Sequence, residues 1–240
     1  MSNRAQVIIL AGGEGSRLRP YTTVIPKPLM PVGGLPIIEI LIRQLQSCGL
    51  KNIIIATGYL ANFIESYLGD GSRLGVRIVY MKEKTPLGTA GVIKSIKLLS
   101  DHFLVINGDT LTNISFTDLL KFHRENKAAA TIAIKERVIK TDFGVITLNK
   151  KNELMDYIEK PEHRSYVSIG VNVFNKECQR YIAVQERIHI PQLMVRIKND
   201  GKKVSCFKAK GFWLDLGRLS DLEEAQELWR KNKHRFLKNL

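Results

Sequence analysis

The chain has 240 residues, 44% of them hydrophobic, and its 37 Lys and Arg against 23 Asp and Glu give a formal net charge of +14. It is long enough to bury a full core, but no run of about 18 apolar residues occurs, which excludes a membrane-spanning helix, and Met1–Arg4 is too short a lead for a secretory signal, so a cytoplasmic protein is expected. Cys48, Cys178 and Cys206 are far apart and lack CxxC spacing, which fits free thiols in a reducing compartment and speaks against zinc.

Taken in chain order, apolar runs and helical periodicity alternate. A strand is expected over 5–11, then a helix over 36–48, a strand over 52–57, a helix over 60–68, a strand over 76–80 and a helix over 88–98. A strand over 102–107 and a helix over 115–126 follow, then strands over 129–134, 143–148 and 167–174, a helix over 191–200, a strand over 203–208 and a helix over 219–231. This alternation implies an α/β fold whose mostly parallel sheet is sandwiched by helices. Ile53-Ile54-Ile55-Ala56 and Phe103-Leu104-Val105-Ile106 are continuously apolar, as strands covered on both faces must be. Beyond 135 the pattern loosens into shorter strands, with Asn149-Lys150-Lys151-Asn152 reading as a polar hairpin turn.

Open sheets of this kind bind ligands at the carboxyl ends of their strands. Two such ends carry chemistry: Gly12-Gly13-Glu14-Gly15-Ser16-Arg17-Leu18-Arg19-Pro20 after the first strand, and Asn107-Gly108-Asp109 after the 102–107 strand. Glycines at 12, 13 and 15 allow positive φ and let backbone N–H groups converge on an anion. Arg17 and Lys27 add full charges, and each charge-assisted hydrogen bond to phosphate is worth about 1.5–3 kcal/mol. The third glycine of a dinucleotide fingerprint is missing, and Ser16-Arg17 stands where a P-loop needs lysine and a hydroxyl. Asp109, and Asp215 within Trp213-Leu214-Asp215-Leu216-Gly217, are carboxylates that could hold Mg²⁺; a turn or helix-capping role is the alternative for either alone.

The string GGxGxRLxP followed by Lys27-Pro28-Leu29-Met30-Pro31-Val32-Gly33-Gly34 resembles the signature of the sugar-nucleotidyltransferases, which join an NTP to a sugar 1-phosphate. Pro86-Leu87-Gly88-Thr89-Ala90-Gly91, Asn107-Gly108-Asp109-Thr110, Phe143-Gly144-Val145-Ile146, Glu159-Lys160-Pro161 and Trp213-Leu214-Asp215-Leu216-Gly217-Arg218 follow in the family's order, so the resemblance covers roughly 5–228. It implies a Rossmann-like, GT-A-like fold in one domain over 1–240: a nucleotide-binding part over 1–135, and a smaller sugar-binding lobe with a C-terminal helix over 136–240. Many relatives carry a C-terminal hexapeptide-repeat β-helix, and this chain ends before one could begin.

The resemblance further implies a Mg²⁺-dependent attack by the sugar phosphate on the α-phosphorus, with pyrophosphate leaving. Arg17, Lys27 and Asp109 are the catalytic candidates, and Asp109 and Asp215 the metal ligands. Leu10, Ala11, Gly12, Gly13, Gly15, Ser16, Glu83, Pro86, Gly88 and Thr89 are expected around the nucleotide; Gly144, Glu159, Lys160, Ser168 and Gly170 around the sugar phosphate. Where relatives commonly show Asn-Ala-Gly, this chain has Ser168-Ile169-Gly170, so the sugar's hydroxyl pattern is not carried over. Glu83-x-x-Pro86 resembles the guanylyltransferase branch that acts on mannose 1-phosphate or heptose 1-phosphate. A carboxylate there can accept from both N1–H and N2–H₂ of guanine, and a lost buried partner costs about 1–3 kcal/mol, roughly tenfold to a hundredfold in discrimination. The five histidines, His102, His123, His163, His189 and His234, form no ligand spacing and read as structural.

Three other readings stay open: uridylyl- or cytidylyltransfer on another sugar 1-phosphate, a non-catalytic module that binds sugar nucleotide, and nucleic-acid binding through the basic stretch Arg230-Lys231-Asn232-Lys233-His234-Arg235 with Lys238. Intact Arg17, Lys27, Asp109, Lys160 and Asp215 argue against the second. The third has little aromatic support, because Trp229 lies at helical spacing from Ala225 and Leu222, as a core residue does. The net charge fits either a solvated surface or the steering of polyanions such as NTP and sugar phosphate. The oligomeric state is open, a homo-oligomer included.

Overall fold

A computed structural model describes residues 5–83 and 85–236, without the side chains of His234 and Arg235. The Met1–Arg4 lead and Lys238 of the basic stretch lie outside the described residues. Among the described residues, thirteen strands and six α-helices follow in order: β1 (Gln6–Ala11), β2 (Pro31–Val32), β3 (Leu35–Pro36), α1 (Ile37–Ser47), β4 (Asn52–Thr57), α2 (Ala61–Leu68), β5 (Arg77–Lys82), α3 (Gly88–Ser95), β6 (His102–Asn107), β7 (Thr110–Thr112) and α4 (Phe116–Glu125). Then come β8 (Ala130–Lys140), β9 (Val145–Leu148), β10 (Leu154–Ile158), β11 (Glu162–Asn175), α5 (Ile190–Asn199), β12 (Val204–Lys208), β13 (Trp213–Asp215) and α6 (Leu219–Phe236).

The central sheet has seven strands in the order β12-β8-β11-β6-β1-β4-β5. All its pairings are parallel except the two made by β11, which runs antiparallel to β6 and β8. Strand β1 is central, and the chain proceeds from it to β4 on one side and β6 on the other, the reversal at which α/β sheets open a ligand crevice. The expected class therefore holds, and each expected strand and helix is present within a few residues except that β8 and β11 are longer.

Alternation along the strands splits the core in two. Val7, Ile9 and Ala11 join Ile53, Ile55, Leu104 and Ile106 beneath α1, α2 and α4, whereas Ile8, Ile54, Phe103 and Val105 pack under α3 and α5. Helix α1 is buried on more than one face, with Ile38, Leu41, Ile42 and Leu45 on the sheet core and Ile37 and Ile40 in a further cluster, and it is followed by Gly49 at φ +77°. In α4 the Ser115 hydroxyl caps the helix by accepting from the Asp118 N–H at 3.1 Å.

A third cluster joins α6 to the region after the glycine loop. Trp229 and Phe236 stack at 5.8 Å and are buried with Met30, Val32 and Leu216, so the helical spacing of Trp229 does mark a core residue. The Gly33-Gly34 turn of the β2–β3 hairpin lies directly under that indole: a Cβ on Gly33 would sit 1.8 Å from Trp229 Nε1. Gln226 fastens the same hairpin, accepting from Gly33 N–H and donating to Pro31 O, each at 2.9 Å.

Strand β8 runs unbroken through residue 135. Its outer half pairs with the first half of β11 as a ribbon leaving the sheet, while the second half of β11 enters between β6 and β8. The register shifts between Ser168 and Asn172, around Gly170 at φ +71°. Between the ribbon strands, β9 and β10 form a separate antiparallel hairpin whose connection holds Asn149–Asn152, as its polar run foretold. Among the described residues, no helix is long and apolar enough to cross a membrane.

Candidate active site

The glycine loop leaves the carboxyl end of β1. Gly12 passes close to the neighbouring strand ends: a Cβ there would be 3.2 Å from Glu83 Oε2 and 3.5 Å from Gly58 N. Gly13 has nothing within 4 Å of its would-be Cβ and faces open space. Of these three glycines only Gly15 takes a positive φ, +62°, leading into a short 3-10 turn over Ser16–Leu18. Close approach and clearance, not turning, are what Gly12 and Gly13 provide. The Thr22 hydroxyl donates to Gly15 O at 2.9 Å, and Lys27 Cβ would lie 3.2 Å from a Cβ on Gly15, so the loop is seated on the segment that carries Lys27.

Two short strands bring the acids together. β7 pairs antiparallel with β13, setting Asp215 opposite Thr110 and hence beside Asp109. Lys27 Nζ is ion-paired with Asp109 and lies 3.9 Å from Asp215 Oδ1. Burial raises the Asp215 carboxyl above its ordinary range and the Asp109 charge adds to this, while Lys27 and Arg17 oppose the rise. Arg17 stands over Gly217, where a Cβ would lie 3.1 Å from its guanidinium nitrogen.

A cavity of about 410 Å³ opens above these groups. Leu10, Ala11, Gly12, Gly13, Gly15 and Ser16 line one wall; Glu83, Pro86, Gly88 and Thr89 line another; Arg17, Lys27 and Asp109 lie between. Every residue expected around the nucleotide thus borders one space. Glu83 is partly buried, its carboxyl raised by burial although Leu87 N–H donates to Oε1 at 3.3 Å.

His189, read from the sequence as structural, also lines the cavity and approaches Thr89 N–H with Nδ1 at 3.4 Å. It caps α5, and α5 is drawn against α3 because Gly88 and Gly91 leave no room for a Cβ beside Ile188 O and Glu186 O. Only the Pro191 that marks a helix start was visible in sequence, and it says nothing of what the capping residue touches. His102 and His123, 21 residues apart in sequence, meet at 3.2 Å and share Asn175 Oδ1; burial lowers the His123 pKa.

The residues expected around the sugar fall into two groups. Gly170 lies against Asn107 of the cavity wall, where a Cβ would be 2.5 Å from its side-chain nitrogen, and Ser168 is at the same bend of β11. Gly144, Glu159 and Lys160 belong to the β9–β10 hairpin: Gly144 lies beneath the Tyr157 hydroxyl, which donates to Glu159 at 3.4 Å, and Lys160 has φ +46°.

The donor set at Asp109 and Asp215 fits a hard divalent cation. Two carboxylates of like charge stand together, with burial and then the Asp109 charge raising Asp215, and the Lys27 ammonium lies beside both. Among the described residues no group of three or more acidic, His or Cys ligands occurs. Phosphate oxygens and water would therefore complete the shell, as is usual for Mg²⁺.

A mostly parallel α/β sheet thus presents a glycine loop, a bridging lysine and paired carboxylates at its switch point, groups suited to phosphate oxygens. Comparison with known proteins agrees: residues 6–232 match the family model described as Nucleotidyl transferase, and the chain belongs to that family. It is 31% identical over 92% of its length to a mannose-1-phosphate guanylyltransferase of Mycobacterium tuberculosis, and 31% identical over 92% to a UTP--glucose-1-phosphate uridylyltransferase of Synechocystis. The chain spans 63% and 62% of those relatives' lengths. A Bacillus anthracis protein described as a glucose-1-phosphate thymidylyltransferase, solved with sucrose, superposes with a TM-score of 0.76 at 26% identity, over 94% of this chain and 95% of the other.

Proposed function

We propose that this protein transfers a nucleoside monophosphate from an NTP, GTP by preference, to a mannose- or manno-heptose-type sugar 1-phosphate. The observation that carries the reading is the convergence of the glycine loop, Arg17, Lys27 and the Asp109–Asp215 pair on one cavity. A sugar-phosphate oxygen forms the new bond to the α-phosphorus, and the bond to the bridging oxygen breaks, with pyrophosphate taking the electron pair. The nucleophile is already an anion, so no general base is needed. The protein must instead align two anions and absorb charge on the leaving group.

In this scheme the loop amides and Arg17 hold the β- and γ-phosphates, and Lys27 turns from the carboxylates to the phosphate under attack. Asp109 and Asp215 would hold Mg²⁺, which when bound neutralises charge on the phosphates. Residues 1–135 serve the nucleotide and 136–240 the sugar, with Gly144, Glu159, Lys160, Ser168 and Gly170 on the sugar-phosphate side. Glu83, sheltered in the cavity wall, suits the two donors on the guanine edge. The mycobacterial relative's name supports guanine; the equally similar Synechocystis protein supports uridylyltransfer as the second reading.

Pyrophosphate release from each of four NTPs with mannose, heptose and glucose 1-phosphates decides between them. GTP with a manno-type acceptor is expected to give the highest kcat/KM. A preference for UTP and glucose 1-phosphate favours the second reading, and no release from any pair overturns both.

A further inference from the structure

The two faces of β5 are covered unequally. Ile78 turns into the core beneath α1 and α2 and is 6% exposed, whereas Val79, the next residue, faces the other way and is 45% exposed. A parallel sheet is normally covered on both faces, and the bare patch has a local cause. Helix α3, which lies on that face, has only eight residues, about 12 Å of length against about 20 Å for a six-residue strand. It starts over the carboxyl ends of the strands, where Gly88 and Thr89 border the nucleotide cavity, and it stops at Ser95. The amino-terminal halves of β4 and β5 are left without a roof.

A recess of about 500 Å³ occupies the gap, a volume within the usual range for small-molecule sites. Its floor is aliphatic: Ile54 and Val79 are partners in the β4–β5 ladder, with Met81 beside them. The segment after α3 adds Ile96 and Leu98, the latter 84% exposed. Among the described residues, Arg77 and Lys97 are the charged groups of the lining, and no carboxylate and no aromatic ring joins them. Neither cation forms an ion pair among the described residues, so both are available to an anion.

We propose that this recess binds a small amphipathic anion, an aliphatic carboxylate or phosphate monoester, with its chain on Ile54, Val79 and Met81 and its head held by Arg77 and Lys97. The same lining disfavours other occupants. A second copy docked face to face would set Arg77 and Lys97 against their own counterparts, with no carboxylate in the recess to offset the repulsion. Single-stranded nucleic acid needs rings to stack on, and the lining offers none. An NTP or a sugar phosphate would lay its hydroxyls on an aliphatic floor that cannot pair with them. An aliphatic chain ending in one anionic group satisfies both floor and rim.

Calorimetric titration of the full-length protein with decanoate tests this. One saturable site per chain is expected, and saturating GTP should not remove it, because the nucleotide cavity lies at the other end of the strands. Uncharged decanol should bind about tenfold more weakly. Arg77→Ala and Lys97→Ala should each weaken decanoate by about threefold to tenfold while leaving decanol unchanged. Val79→Asp, at an exposed position, should abolish binding with the melting temperature within a few degrees of wild type. Met155→Glu, on the exposed β9–β10 hairpin, should have no effect. No saturable binding, decanol equal to decanoate, displacement by GTP, or a loss confined to Met155→Glu would each overturn the site. So would a dimer in sedimentation that Val79→Asp dissociates, or an oligonucleotide that displaces decanoate, since either would give the recess a different occupant.

Discussion

The nucleotide cavity and the β9–β10 hairpin carry the same kinds of side chain, glycines, a lysine and carboxylates, but on opposite foundations. Gly12 and Asp109 follow β1 and β6, whose residues Val7, Ile8, Ile9, Leu104, Val105 and Ile106 are fully buried. Every residue of β9 and β10 is exposed, Met155 at 66% and Ile146 at 52%. A group at the end of a two-face-buried strand is fixed by the whole core, and moving it means moving a sheet. A group on a lone two-stranded hairpin is fixed by its own ladder, which is marginal in water. The cavity is thus organised in advance of its ligand, and the hairpin owes its order to local contacts such as Thr141 N–H to Pro161 O at 3.1 Å.

The sharpest test removes charge at the braced end without disturbing the brace. Asp109→Asn should lower kcat by at least about a hundredfold to a thousandfold, the scale of losing one preorganised electrostatic group. Its melting temperature should stay within a few degrees of wild type, because Lys27 keeps Asp215 as a partner and two like charges no longer face each other. Steady-state kinetics beside a thermal melt check both; full activity would remove Asp109 from the chemistry.

A second test concerns the helices that pack on the braced sheet. Glu39, 1% exposed on α1, accepts from Arg43, from Tyr67 of α2 and from Arg73. Burial opposes its ionisation, but hydrogen bonds from Arg73, Tyr67 and Arg43 prevail and bring the carboxyl from 4.5 to about 2. Because the folded value lies below the unfolded one, the stabilisation is complete above about 4.5 and is lost as pH falls through about 2; it amounts to about 3 kcal/mol. Urea unfolding at several pH values should therefore show Glu39→Gln less stable at pH 7, with the gap narrowing steadily towards pH 3. A gap independent of pH would mean that the cluster is held by packing.

How much of this was legible follows the same division. Strands covered on both faces need apolar runs, so β1, β4 and β6 and the loops at their ends were plain, and with them the glycine cradle and Asp109. The pairing that completes the site was not: Thr110-Leu111-Thr112 and Trp213-Leu214-Asp215 are three residues each, too short for any period, and only their ladder sets Asp215 beside Asp109. The first half of β11, Glu162-His163-Arg164-Ser165-Tyr166, is solvated on both faces and shows no alternation. His189 reaches Thr89 across 100 residues through helix packing that no local pattern encodes.

Base choice gives a smaller effect at the edge of the braced region. Glu83→Gln replaces two acceptor oxygens by one acceptor and one donor, so the ratio of kcat/KM for GTP over UTP should fall about tenfold to a hundredfold. An unchanged ratio would place base recognition elsewhere.

The smallest effect is expected where the comparison predicts indifference. Ile106 and Ile158 are the same residue type in strands of similar length, one buried between β1 and β11 and the other 50% exposed on the hairpin. Truncating Ile106 to alanine removes methyl groups from close-packed surroundings and should cost about 2–5 kcal/mol. Truncating Ile158 removes groups that already meet water, and an exposed site of this kind shifts stability by about 0.5 kcal/mol or less. Urea midpoints of the two variants check the pair. A cost at Ile158 approaching that at Ile106 would mean that the hairpin's apolar face is covered in solution, and that its glycine, lysine and glutamate are as firmly held as the cavity's.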